Sequence, residues 1–160
     1  MILLRLWHYA MLDALPKNQL ISQWRECVCI AKSIYEGKTP NHILVNRIMD
    51  YNIEEFCRYC NLVMRAMKIR GYNTTLSSIE KLNQYIGFLP TYKFTSTTTS
   101  ELDDTPPRFT NWHDKTYLDV CYYNLFEKYH YAKGNSKIGA VEWHILLQKY
   151  YLITGKAFEA

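Results

Sequence analysis

The sequence predicts an all-α protein in which residues 1–160 form one compact helical domain. In four long stretches apolar side chains recur at every third or fourth residue, the spacing that gives a helix one buried face. A glycine follows each of these stretches, as is common where a helix ends in a left-handed turn. No convincing strand pattern or internal repeat is found. At 160 residues, the chain has the length of a single domain with a sizeable core.

The first long helix is predicted from about Pro16 to Glu36, because proline is tolerated in the first turn and Gly37 stops the helix. Its expected buried stripe consists of Leu20, Trp24, Cys27 or Val28, Ala31 and Ile34. On one flank of that stripe, at helical spacing, lie Gln19, Gln23 and Glu26. An Arg-Glu pair on a helix is most often solvated, so position alone does not make Arg25-Glu26 a site.

The rest of the chain is predicted as further helices joined by one long irregular loop. A short helix is expected from about His42 to Met49, a second long helix from Ile53 to Arg70 and a short one from Leu76 to Tyr85. The irregular loop covers about residues 90–111, where threonine, serine, acidic residues and two prolines show no periodicity. The last two helices are expected from Asp114 to Ala132 and from Val141 to Ile153.

Composition indicates the cellular compartment of the protein and whether a metal cofactor is expected. No run of 18 apolar residues exists, so no membrane span is expected, and an odd number of cysteines without a secretory signal indicates the reducing cytoplasm. A zinc site could use Cys27, Cys29, Cys57 and Cys60. Residues two apart on a helix point in nearly opposite directions, so Cys27 and Cys29 converge poorly on one ion. We therefore predict no metal and no other cofactor.

The charge distribution is compatible with a nucleic-acid partner. The net charge is +4, and three acidic residues, Glu101, Asp103 and Asp104, are gathered in the long loop. Many of the basic side chains lie in the first third of the chain. A surface of this kind binds phosphates without regard to base sequence and in a salt-sensitive way. Many proteins of other classes have a similar balance, so charge alone does not decide the function.

Several motifs resemble the pyrimidine-dimer DNA glycosylase/AP-lyase family, of which a phage endonuclease V is the best-known member. They are Arg5-Leu6-Trp7-His8, Leu15-Pro16, Gln19-Leu20, Gln23-Trp24-Arg25-Glu26, Pro40-Asn41-His42-Ile43-Leu44 and Lys68-Ile69-Arg70-Gly71-Tyr72-Asn73, with a weak echo in Gly155-Lys156-Ala157-Phe158. The opening Arg-Leu-Trp-His is closer to the family's bacterial branch. About half the chain is covered, almost all of it before residue 74. The resemblance implies the same all-α fold.

The resemblance also implies a reaction and the residues that carry it. Such enzymes act as monomers on double-stranded DNA with damaged or abasic sites, cutting the glycosidic bond of a damaged pyrimidine with the chain's own α-amine. The Schiff base then undergoes β-elimination, which nicks the strand. Glu26 matches the catalytic carboxylate, and Arg5 falls where the family's chain begins. The implied DNA contacts are Arg25, Asn18, Gln19 and His8, with Lys149 and Lys156 in the closing segment.

The amino terminus departs from the family pattern. Met1 to Leu4 precede Arg5, and four extended residues can move an amine by roughly 13 Å, beyond bonding reach. Three explanations remain open: the segment folds back, a lysine replaces the α-amine, or translation begins at position 4 and gives Met-Arg-Leu-Trp-His. If none holds, the chain is a catalytically inactive relative that binds nucleic acid or protein.

Overall fold

The computed structural model describes residues 5–37, 43–86 and 105–159. Six α-helices occupy these ranges, which contain no β-strand, so the all-α prediction is confirmed. They are α1 (Lys17–Glu36), α2 (Ile43–Met49), α3 (Ile53–Ile69), α4 (Leu76–Ile86), α5 (Lys115–Tyr131) and α6 (Ala140–Thr154). No helix within these ranges is both long and apolar enough to cross a membrane.

The predicted helices agree with the observed ones to within one or two residues. Two short 3-10 helices, Tyr9–Ala14 and Gly134–Ser136, were not predicted, because segments this short contain too few turns for a hydrophobic period. Residues 105–111 contain no helix, as expected for the end of the irregular loop. The predicted loop before residue 105, His42 and the first four residues lie outside the described part of the chain.

Local signals explain where the helices begin and end. Gly37 ends α1 with a φ of 67°, and its backbone N–H donates to Ser33 and Ile34. The Asn52 side chain accepts a hydrogen bond from the Glu54 N–H at the start of α3, and the Asp114 side chain accepts one from Tyr117 N–H at the start of α5. These are the carbonyl and amide groups that a helix end leaves without internal partners.

Helix α1 is the central element because it packs on α3 and α4 through its apolar stripe. The predicted stripe is buried at Leu20, Trp24, Cys27 and Ala31, whereas Val28 and Ile34 are only half-buried. The apolar residues expected at helical spacing on α3 are likewise buried at Phe56, Cys60, Val63 and Met67, and Ile53 is half-buried. Among the cysteines of the zinc alternative, Cys29 is exposed and the other three are buried in the core. The described residues contain no group of three or more side chains suited to a metal ion.

The amino-terminal segment, residues 5–8, runs between three helices, each of which binds its backbone. The amide of Gln23 in α1 bonds Arg5 and Trp7, the Tyr59 hydroxyl in α3 donates to the Trp7 carbonyl at 2.6 Å, and the Tyr117 hydroxyl in α5 donates to the Leu6 carbonyl at 2.7 Å. Leu6, Trp7 and His8 are all buried. Arg5 and one edge of Trp7 also line a cleft beside α1, which His8 does not reach.

Candidate active site

The cleft beside α1 has a volume of about 980 Å³ and opens to solvent. One wall is the exposed side of the first half of α1 with the amino-terminal segment, and the opposite wall is the end of α5 with the turn that follows it. The first wall consists of Arg5, Trp7, Asn18, Gln19, Ile21, Ser22, Arg25 and Glu26. The second consists of Asn124, Glu127, Lys128, Tyr131, Ala132, Asn135 and Ser136. The cleft therefore brings together residues more than 100 positions apart.

Glu26 is the half-buried carboxylate of this cleft. Its Oε2 accepts a hydrogen bond of 3.2 Å from the Nε2 of Gln23, one turn earlier on α1. The same nitrogen donates to the Arg5 carbonyl oxygen at 3.0 Å. Since both oxygens bond one nitrogen, they lie within about 6 Å of each other. The backbone of the amino-terminal segment is therefore held directly beside the carboxylate.

The surroundings of Glu26 give it an unusual acidity. Burial raises its pKa from 4.5 to about 7, and the guanidinium of Arg5 and the amide of Gln23 only partly oppose that rise. Burial has this effect because the charged form of a carboxyl group loses hydration in an apolar setting. A carboxyl group with a pKa near 7 is present in both protonation states at neutral pH. It can therefore both donate and accept a proton during a reaction.

Cations outnumber carboxylates in the cleft. Arg5, Arg25 and Lys128 line it, against Glu26 and Glu127. The guanidinium carbon of Arg5 lies 4.9 Å from the centre of a ring of Trp7, a cation–π contact that fixes the arginine at the inner end of the wall. Arg25 is exposed. Such an arrangement leaves positive charge available for phosphate groups along both sides of the carboxylate.

Asn18 and Gln19 connect the two walls of the cleft. The amide nitrogen of Asn18 donates to the Asn135 carbonyl at 2.9 Å, and that of Gln19 donates to the Ser136 carbonyl at 3.2 Å. The amide oxygen of Gln19 is buried and has no hydrogen-bond partner among the described residues.

The other three predicted DNA contacts lie away from the cleft. His8 is buried, its ring accepts a hydrogen bond from Ala10 N–H, and its pKa is lowered, mainly by burial. Lys149 on α6 pairs with Asp13 at 2.9 Å. Lys156 lines a second cavity of about 490 Å³ between α5 and the end of the chain. The structure thus brings together Arg5, Asn18, Gln19, Arg25 and Glu26, and places His8, Lys149 and Lys156 elsewhere.

Sequence reasoning missed the whole second wall and the role of Gln23. The sequence places Gln23 in helical register with Glu26 and within the motif Gln23-Trp24-Arg25-Glu26, and that register is the signal for their hydrogen bond. Lys128 and Tyr131 lie on a helix that was predicted, yet no motif there marks them as part of a site. The Tyr131 side chain is 78% exposed at the edge of the cleft, where an aromatic ring is accessible for stacking.

Comparison with known proteins gives one match, to a protein family. Residues 4–80 match the family model described as pyrimidine dimer DNA glycosylase. Over these residues the chain is similar to that family. The similarity supports an enzyme that acts on DNA. No curated protein and no solved structure matches the chain. The family match contains the first wall of the cleft, and the α5 wall lies beyond it.

Proposed function

We propose that this protein is a DNA glycosylase with AP-lyase activity, which removes a damaged pyrimidine through a Schiff base and then nicks the strand. The single observation that carries the proposal is Glu26, a half-buried carboxyl group with a pKa of about 7 in an open cleft lined by cations. A solvated surface Glu-Arg pair would leave the carboxylate exposed and without a cleft, and Glu26 has neither property.

The nucleophile of the proposed reaction is an amine next to Glu26. The backbone of Arg5 is held beside the Glu26 carboxylate. In a chain that begins at position 4 or 5, the α-amine therefore belongs to Arg5 or to the residue directly before it. At pH 7 roughly a tenth of an α-amine is unprotonated, against well under a thousandth of an ordinary lysine. Lys128 is the lysine that lines the same cleft and is the second candidate.

The proposed steps assign protons to Glu26. The amine attacks C1′ of the damaged nucleotide, the bond from C1′ to the base breaks, and the base leaves with the electron pair and a proton from the neutral carboxylic acid. The C1′–O4′ bond then breaks as the amine nitrogen forms a double bond to C1′, and the proton that the amine gives up passes to O4′, which yields the ring-opened Schiff base. Loss of a C2′ proton to the Glu26 carboxylate then expels the 3′ phosphate, which breaks the strand. The carboxylate stabilises the positive charge that develops on the sugar as the base leaves, and later the positive charge of the Schiff base.

The remaining cleft residues are proposed to hold the DNA. Arg25 and Lys128 would bind phosphates on either side of the lesion, and Asn18 and Gln19 would meet the damaged region. Access to C1′ requires an opened duplex, at a cost of a few kcal/mol that cleft contacts must offset. His8, Lys149 and Lys156 remain predictions of DNA contact outside the cleft. We further propose a monomer in a reducing cytoplasm, consistent with five cysteines as free thiols.

Trapping with borohydride tests the proposal. Wild-type protein is incubated with DNA that contains an abasic site, and the reductant converts any Schiff base to a stable covalent adduct. We expect an adduct and a nicked strand with wild-type protein, loss of the nick in Glu26→Gln, and wild-type yields of both in Glu36→Gln, which removes an exposed carboxylate from the same helix. Mass spectrometry of the adduct peptide identifies the amine, which is the α-amine or Lys128.

Absence of an adduct from wild-type protein, with chains that begin at either position 1 or position 4, would contradict the lyase proposal. Salt-sensitive DNA binding that persists in that case, and is unchanged in Glu26→Gln, would favour the inactive DNA-binding relative instead. The two functions are thus separated by one pair of measurements, adduct yield and affinity.

A further inference from the structure

The geometry points to Gln23 as a positioning residue: its side-chain amide holds the amino-terminal segment and the Glu26 carboxylate in register for the reaction. The inference rests on the proposed function and adds to it a residue that does not touch DNA. Gln23 is completely buried beneath the wall of the cleft. Its effect on the reaction must therefore pass through the groups to which it is bonded.

Both ends of the Gln23 amide are hydrogen-bonded. Its Oε1 accepts from Trp7 N–H at 2.8 Å and lies 3.1 Å from the Tyr59 hydroxyl. Its Nε2 donates to the Arg5 carbonyl at 3.0 Å and to Glu26 Oε2 at 3.2 Å. Both donors of the carboxamide are therefore used, and its oxygen shares the single Tyr59 hydroxyl proton with the Trp7 carbonyl, which is nearer at 2.6 Å. Toward Arg5 and Trp7 the side chain behaves like the peptide group of a neighbouring parallel strand.

The orientation of this amide is determined by its partners. The backbone N–H of Trp7 can only donate, so the amide atom that faces it is the oxygen. The NH₂ group then faces the Arg5 carbonyl and the Glu26 carboxylate, both of which are acceptors. Tyr59 is itself fully buried and also donates to the Trp7 carbonyl, so the α3 side of the network is fixed as well.

Only an amide of this length satisfies all four partners. Glutamate has the same shape but no donor for Arg5 or Glu26, and it adds a negative charge beside the carboxylate. Methionine has a similar size but neither donates nor accepts strongly. Asparagine is shorter by one methylene and cannot span from the Trp7 backbone to Glu26. A change at position 23 is therefore expected to release the segment and the carboxylate together.

Gln23→Met tests the inference with three measurements. The first is the pKa of Glu26, followed by NMR with labelled glutamate. Loss of the Gln23 hydrogen bond removes an interaction that lowers this pKa, so a rise of roughly half a unit to one unit is expected. The second is hydrogen exchange at the Trp7 amide, expected to accelerate by about tenfold or more when its buried acceptor is lost. The third is the pH dependence of single-turnover strand scission, whose midpoint should move with the Glu26 pKa.

Two further variants keep the test decisive. Leu82→Ala removes a fully buried side chain of α4 that makes no hydrogen bond to this network, so it lowers stability while leaving the Glu26 pKa unchanged. If Gln23→Met fails to fold, Tyr59→Phe removes the hydroxyl that orients the amide. Tyr59→Phe should then shift both the Glu26 pKa and the Trp7 exchange rate in the same direction by smaller amounts.

The inference is overturned if the folded variant keeps the wild-type Glu26 pKa and Trp7 exchange rate, or if Leu82→Ala shifts them equally. Failure of the proposed function is a separate result. It is seen as absence of an adduct with wild-type protein, whereas the pKa and the exchange rate report on positioning without any reaction.

Discussion

Glu26→Gln is expected to make the protein more stable, and only at the higher end of the pH range. Burial raises the pKa of Glu26 from 4.5 to about 7, so the folded protein binds a proton more tightly than the unfolded chain does. Stability from this group is therefore fully present below pH 4.5 and is lost as the pH rises through 7. Glutamine stays neutral and avoids that loss.

The magnitude follows from the size of the pKa difference. A shift from 4.5 to about 7 would correspond to about 3.4 kcal/mol if solvent had no access to the group. Glu26 is half-buried in an open cleft, and screening by water reduces this to about 1–2 kcal/mol. Glu26→Gln should thus equal wild type near pH 4 and exceed it by about 1–2 kcal/mol at pH 8.

Urea unfolding followed by circular dichroism measures this difference at several pH values. Other groups titrate equally in both proteins, so their contributions cancel in the comparison. Glu36→Gln, at the exposed end of the same helix, is the matched control. A Glu26→Gln variant whose advantage is the same at pH 4 and pH 8 would refute the reasoning, because the gain would then arise from packing rather than from the carboxylate charge.

Three further outcomes are expected. Arg25→Ala should weaken DNA binding and reduce the slope of log affinity against log salt by about 1, measured by fluorescence anisotropy, whereas Lys32→Ala, which pairs with Glu36 on the same helix, should change neither. Tyr131→Ala should cost about 1–3 kcal/mol of affinity for opened DNA and Tyr131→Phe nearly none; equal losses would exclude stacking. Trp24→Phe should lower the free energy of unfolding by about 1–3 kcal/mol, because the Thr74 carbonyl loses its indole donor, and thermal melts would show it.

The first wall of the cleft could be predicted because its side chains contact neighbours on the same helix. Helical periodicity on α1 identified the buried stripe and put Gln19, Gln23 and Glu26 on one flank, and the structure adds the hydrogen bond between the last two. These contacts span three or four residues of one helix, where geometry fixes the distance between side chains. The resemblance to the family adds the expectation that Glu26 is a catalytic carboxylate, which helical spacing alone does not predict.

The second wall forms only through tertiary packing, so no local sequence pattern marks its residues as part of the cleft. Lys128 and Tyr131 line the same cleft as Glu26 because α5 packs with the amino-terminal segment through contacts such as Tyr117 to Leu6. The pairing of Lys149 with Asp13 also joins residues far apart in sequence. His8 shows a different limit. It adjoins a cleft residue, but successive side chains of an extended segment face opposite sides, so its ring stacks on His113 in the interior.

The first turn of α1 is hydrogen-bonded to the second wall of the cleft through the same side-chain amides that are proposed to contact DNA. Asn18 and Gln19 each use one of their two side-chain N–H donors on the carbonyls of Asn135 and Ser136. A DNA strand that turns either amide toward itself breaks the bond to that short turn, so substrate entry and opening of the cleft are expected to occur together. Deuterium uptake at residues 134–136 should consequently increase when DNA is added. An unchanged or slower uptake would show that the hydrogen bonds from Asn18 and Gln19 to this turn persist in the complex.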